Sequence, residues 1–152
     1  MSDDREAVRA WLDLLGVSTT IKKDVDARLR RGFGLSISRF DVLAALDRAG
    51  GDGLTAGTLS GRLRVTEGNT TQITGPLIEA DLIRRTVSPT DGRVAIFQLS
   101  PKGRRVFARM AGENRRWIAE TFAALAPAQI ATLRRLLAAL KPPCGSIEEK
   151  SA

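Results

Sequence analysis

Residues 65–103, VTEGNTTQITGPLIEADLIRRTVSPTDGRVAIFQLSPKG, decide how this chain is read. Thr66 is a good helix N-cap, since its hydroxyl can accept a hydrogen bond from the backbone N–H of Gly68 or Asn69. The helix it starts keeps Thr70, Ile73, Leu77 and Ala80 on one side, at spacings of three and four. At about 100° per residue the opposite side carries Gly68, Thr71, Gln72 and Gly75. A solvated helix face normally carries Lys and Glu. This one is small, uncharged and rich in hydrogen-bonding groups, so it can come close to another surface. Ile83–Val87 and Val94–Ser100 then read as two strands joined by Ser88-Pro89-Thr90-Asp91-Gly92-Arg93, where the proline and the Asp-Gly pair mark a turn.

Working outward, Ser36 caps a helix that places Phe40, Leu43, Ala44 and Leu46 on or near its buried side, and Gly50-Gly51 stops it. Thr55 caps a short helix with Leu59 and Leu63, and Arg62-Leu63-Arg64-Val65 leads to Thr66. Two short helices with a tight connection, followed by a basic-tipped hairpin, are the plan of a winged helix-turn-helix. Ser100-Pro101 reads as an N-cap with proline at the first helical position, opening a long helix through Val106, Phe107, Met110, Trp117, Ile118, Phe122 and Leu125. Pro127 starts a last helix with Ile130, Leu133, Leu137 and Leu140 as its stripe; Pro142-Pro143 ends it. The first helix, residues 4–31, carries Val8, Trp11, Leu12, Leu15, Val25 and Leu29 near one line. Gly16 and the branched run Val17 to Ile21 weaken its centre and admit a break there.

The run Leu82-Ile83-x-Arg85, then Asp91-x-Arg93, then Leu99-Ser100-Pro101-x-Gly103 resembles the signature of the MarR family of bacterial transcription regulators, and the order of elements over residues 6–140 matches it. The resemblance implies a mainly α fold with a small β wing (α+β). Residues 4–35 and 101–141 would be dimerisation helices, 36–100 the winged helix-turn-helix lobe, and 142–152 a flexible tail. It also implies a short third strand at Gly53-Leu54-Thr55. The family usually has a glycine where this chain has Asp81, a residue that also tolerates left-handed backbone. Pro76 departs from an ordinary helix, removing an N–H and crowding the carbonyl of Gln72. The helix is expected either to kink there or to end and restart.

Composition narrows the function. Lys plus Arg number 24 against 17 Asp plus Glu, for a net charge of +7. Residues 62–105 hold eight basic and four acidic side chains, the largest local excess, so a polyanion is the natural partner. With no His and one Cys, His-based triads, Cys/His metal clusters and an internal disulfide are excluded. No phosphate loop or dinucleotide fingerprint is present. The expectation is a non-enzymatic protein without cofactor or metal. The acidic N-terminus lacks a signal-type apolar core, and no apolar run reaches the roughly 20 residues of a membrane span, so a cytoplasmic protein is expected.

Double-stranded DNA is the expected partner, bound by a homodimer on a pseudo-palindromic site. Thr55, Arg62, Arg64 and Arg85 are candidate phosphate ligands. Thr71 and Gln72 are the candidate base readers, with Asn69 and Thr70 beside them. Thr66, Gly68 and Gly75 complete the DNA-facing set. Gln can bond adenine through two hydrogen bonds, and a Thr methyl can touch thymine. Asp91 is expected to bond an arginine and fix the wing, Arg93 to reach the minor groove, and Arg85 is a second candidate partner for Asp91. The resemblance further implies a repressor released by a small aromatic or apolar acid, with a pocket near Trp11, Phe33, Phe40 and Phe107; the competing reading of those aromatics is core. Cys144 reads as incidental. Two other functions stay open: a winged-helix module that binds protein, and a non-specific nucleoid or RNA-binding protein.

Overall fold

The computed structural model describes residues 2–63, 65 and 67–140. The described chain divides into two compact units, the second beginning at Trp117. Helix α1 spans Ser2–Phe33, α2 Ile37–Ala49, α3 Ala56–Leu63 and α4 Glu67–Glu79. Strand β1 is Leu54–Thr55, β2 Ile83–Val87 and β3 Ala95–Leu99; α5 runs Pro101–Phe122 and α6 Pro127–Ala139. The sheet order is β1-β3-β2, antiparallel throughout. β1 is the third strand expected at residues 53–55: Leu54 pairs with Phe97 and Thr55 with Ile96.

In the first unit, Leu29 of α1, Val42, Leu43 and Leu46 of α2, Leu59 of α3, Leu77 of α4, Ile83 of β2 and Met110 of α5 are almost wholly buried. Apolar residues at helical spacing turn these faces inward because burying each large side chain is worth about 1.5–3 kcal/mol. α2 begins at Ser36, whose side chain accepts from the Arg39 N–H as expected, and Asp26 of α1 accepts from the Ile37 N–H at 2.8 Å. α1 is unbroken from residue 2 to 33. At its expected weak point the Thr20 hydroxyl donates to the Gly16 carbonyl and the Ser18 hydroxyl to the Leu15 carbonyl. In the second unit, Pro127 opens α6 as expected, and the Gln129 side chain reaches back to accept from the Ala126 N–H at 2.7 Å.

The joint between α4 and β2 is the most closely specified part of the lobe. α4 ends in a Schellman arrangement: the Leu82 N–H donates to Leu77 and the Asp81 N–H to Ile78. Asp81 takes the left-handed conformation this needs, at φ 56°, so it does what glycine does elsewhere. The first turn of α5 then clasps the joint. Ser100 donates its N–H to the Leu82 carbonyl at 3.0 Å and its hydroxyl to the Asp81 carbonyl, while that hydroxyl oxygen caps α5 through the Gly103 N–H. Lys102 reaches the Ala80 carbonyl at 3.0 Å. A Cβ at Gly103 would lie 1.8 Å from the Leu82 carbonyl oxygen, so only glycine fits. The Leu-Ser-Pro-x-Gly motif is thus the lock that fixes where α4 leaves and the wing begins.

Candidate nucleic-acid interface

α4 continues through Pro76 as one helix from Glu67 to Glu79. Of the two outcomes expected from the sequence, an early end and restart does not occur. The proline ring leaves the Gln72 carbonyl without its usual donor, which is tolerable because Gln72 lies on the exposed side. Neighbouring turns are tightened by Thr74, whose hydroxyl donates to the Thr70 carbonyl at 2.9 Å.

The outer face of α4 is close to the one read from the sequence, with one correction. Gly68, Asn69, Thr71 and Gln72 are exposed and Gly75 is half-buried. Thr70 is not on this face. It is 2 % exposed, and its hydroxyl meets that of Ser60 in α3 at 2.8 Å. Thr70 is therefore a buried polar link between the two helices of the turn, not a base reader. Its spacing from Leu77 places it in the inner stripe of the helix. Thr74, also 2 % exposed, belongs to the same inner face and was missed.

Thr55 likewise has an internal task. Its hydroxyl oxygen accepts from the Thr58 N–H at 3.1 Å, capping α3, while it donates to the Thr58 hydroxyl at 2.8 Å. Arg62 lines a concavity of about 460 Å³ with Asp41, Ala45, Arg48 and Leu63. Partial desolvation in the wall of that concavity raises the Asp41 carboxyl above the ordinary carboxylate value, against the pull of Lys22 and Arg48. Arg64 and Thr66 lie outside the described residues, as do the tail and Cys144.

The wing is built as the register dictates, with Arg85 opposite Phe97 and Val87 opposite Ala95. At its tip the Ser88 N–H donates to Val94 and the Val94 N–H to Asp91. Asp91 Oδ1 accepts from the Arg93 N–H at 3.0 Å and from its Nε at 3.3 Å. The guanidinium is held at its root, while the side chain is 94 % exposed. Asp91 therefore pairs with Arg93, and Arg85, the alternative partner, stands exposed on β2 without an ion pair among the described residues.

The four aromatics considered for an effector pocket do not gather as a set. Phe40 and Phe107 meet at 5.6 Å between ring centres, and the Arg109 guanidinium lies 5.7 Å over the Phe33 ring. Trp11 stands 57 % exposed on the same continuous helix as Phe33. Twenty-two residues at 1.5 Å each separate them by about 33 Å, too far to line one pocket in one chain.

The interface combines an exposed, uncharged helix face, seated by a buried hydroxyl link, with a hairpin tipped by an oriented arginine. Residues 33–94 match the model of the MarR family. Over that stretch the chain is similar to the MarR family. No curated protein sequence matches the chain. Among solved structures, it is similar to a cysteine-to-serine mutant of MarR from E. coli complexed with operator DNA, at 20 % identity and TM-score 0.79, over 90 % of this chain and 96 % of that one. The transcriptional regulator BldR from Sulfolobus solfataricus aligns at 22 % identity and TM-score 0.77, over 92 % of this chain and all of that one. AbsC, a MarR family regulator from Streptomyces coelicolor, aligns at 22 % and 0.76, over 84 % and 86 %. At these identities the likeness establishes the MarR-type fold, six helices with a small antiparallel sheet. Among the described residues, no helix is long and apolar enough to cross a membrane.

Proposed function

We propose that this protein is a sequence-specific, DNA-binding transcription regulator that works as a homodimer on a pseudo-palindromic operator. The observation that carries this reading is the pairing of the exposed α4 face with a wing tip whose Arg93 is anchored by Asp91 yet almost fully solvated. A helix of this kind fits the major groove, and a protruding arginine beside it reaches the narrow, strongly negative minor groove. Phosphate contacts, with Arg62 and Arg85 as ligands, supply most of the affinity.

Dimerisation is supported by apolar side chains that each unit leaves bare: Val8, Trp11, Leu12, Leu15 and Val17 in α1, and Leu136, Leu137 and Leu140 at the end of α6. Patches of this size are uncommon on monomers. Leu137→Asp would bury an unpaired charge and should give monomers by sedimentation. A wild-type monomer would remove the argument.

A small aromatic or apolar acid is the proposed effector, and repression the proposed mode, with Phe33, Phe40 and Phe107 as the part of the chain that would meet the acid. Release of a bound duplex on titrating a series of aromatic acids tests this; no release by any of them counts against it.

The deciding experiment is anisotropy with the protein's own upstream DNA and a scrambled duplex at two salt concentrations. Specific binding that weakens with salt supports the reading. Equal binding to both duplexes points to a general nucleic-acid protein, and none at low salt to a protein-binding module. Arg93→Ala should flatten the salt dependence by about one unit of slope. Asp91→Ala should also weaken binding, although it removes a negative charge.

A further inference from the structure

The reading face of α4 has a composition that narrows its target. From residue 68 to 78 the chain carries no charged side chain. Guanine is most often read by Arg or Lys, through two hydrogen bonds to its major-groove edge, whereas adenine is read in the same way by Asn or Gln. Gln72 is exposed, and its amide makes no hydrogen bond among the described residues, so both its donor and its acceptor are free to act together. Glu79, also on the outer side, lies seven residues on, about 10 Å further along the axis, at the end of the helix.

Two glycines flank Gln72 along this line, Gly68 one turn before and Gly75 nearly one turn after, all three within about 60° of one another on the helix. Neither glycine has positive φ, and a Cβ at either would meet nothing within 4 Å. Gly75 has a reason within the chain, because the residue before Pro76 adopts the helical conformation more easily without a Cβ. Gly68 relieves no contact among the described residues, and it leaves the backbone open to close approach by a ligand. Thr71 flanks the slot, and Ile78, two turns on, continues that flank with an exposed apolar side chain. A contact with a thymine methyl needs only the Thr71 methyl and leaves its hydroxyl to its other interactions.

We propose that this face selects an A·T-rich half-site core, with Gln72, in the slot cleared by Gly68, over an adenine and Thr71 against a neighbouring thymine methyl. The inference rests on the DNA-binding reading above and adds which bases are read and by which atoms.

The test is selection of the full-length protein on a random duplex pool, followed by binding to chemically edited copies of the selected site. The expected core is A·T. Replacing one adenine by 7-deazaadenine, which removes one of the two hydrogen bonds, should weaken binding roughly twofold to tenfold, and Gln72→Ala should remove the sensitivity to that edit. Replacing thymines by uracil, which lacks the methyl, should weaken binding less, in a way that Thr71→Ser abolishes. Gly68→Ala should hold or raise the melting temperature while lowering specific affinity. That opposite pair of signs is not expected of a glycine needed only for folding. A core selected as G·C, or an adenine edit without effect, overturns this inference and leaves sequence-specific binding intact. Gly68→Ala with unchanged affinity overturns the slot. A pool recovered without enrichment overturns the proposed function itself.

Discussion

Both halves of α1 carry an apolar stripe, and the two stripes meet opposite fates. In the C-terminal half, Val25 is 6 % and Leu29 0 % exposed, packed within the first unit. In the N-terminal half, Trp11 and Leu12 are each 57 % exposed and Val8 56 %. Both sets recur at helical spacing, so periodicity alone does not tell them apart. What differs is the neighbour. Residues 25–37 are tied back on themselves by Asp26, which accepts from the Ile37 N–H at 2.8 Å and from Arg30 Nε at 2.7 Å. Polar contacts of the N-terminal half, such as the Arg9–Glu6 pair and the Ser18 hydroxyl on Leu15, are local to the helix. An amphipathic stripe states that a helix has a partner; it does not state whether that partner belongs to the same chain.

The sharpest break in this contrast should come from paired truncations. Leu29→Ala removes a wholly buried side chain and should destabilise the fold by about 2–5 kcal/mol in urea unfolding, at every protein concentration. Leu12→Ala should leave unfolding of the dilute protein within roughly 0.5 kcal/mol of wild type and act only on the concentration-dependent part. Equal, concentration-independent losses from both would mean that the N-terminal half is covered within its own chain.

Asp26 gives a smaller effect with a pH signature. Its carboxyl lies below the ordinary carboxylate value, chiefly because the Ile37 N–H, and next Arg30, bind its charged form. The folded protein then holds fewer protons on this group than the unfolded one. The stabilisation is complete above the unfolded value of about 4 and is lost as pH falls through the lower folded value. Asp26→Asn should destabilise by about 1–2 kcal/mol near pH 7, and the gap to wild type should close on acidification. A gap that widens as pH falls would show the opposite linkage.

The smallest effect belongs to the Glu6–Arg9 pair, whose side chains are 66 % and 71 % exposed. Glu6→Gln should shift stability by no more than about 0.5 kcal/mol, and less still at high salt. A larger loss would mean that this end of α1 is covered by something the isolated chain lacks.

Legibility in the interface followed the same division. Ser36, Thr55, Ser100 and Pro127 announced their helix starts, because a capping side chain acts on backbone two or three residues away. The wing was read to within one residue at each strand end. Asp81 could be judged fit for left-handed backbone from its chemistry alone. Failures came where a side chain's partner is distant in sequence. Thr70 and Thr71 are adjacent and chemically identical, yet one is locked to Ser60 ten residues away and the other faces out. Lys102 holding the Ala80 carbonyl and Gln98 holding that of Gly51 left no mark that a short window could reveal.

By itself, then, the sequence determined the elements, their caps, the hairpin and the polar character of the α4 face. These depend on hydrogen bonds and periodicities that close within a few residues. Tertiary structure alone decided that Thr70 turns inward, that α4 runs on through Pro76, that Trp11 cannot share a pocket with Phe33 of its own chain, and which half of α1 finds a core. Each of those depends on which surfaces meet. Burial energy is proportional to the area removed from water and indifferent to order along the chain, so local pattern cannot assign it.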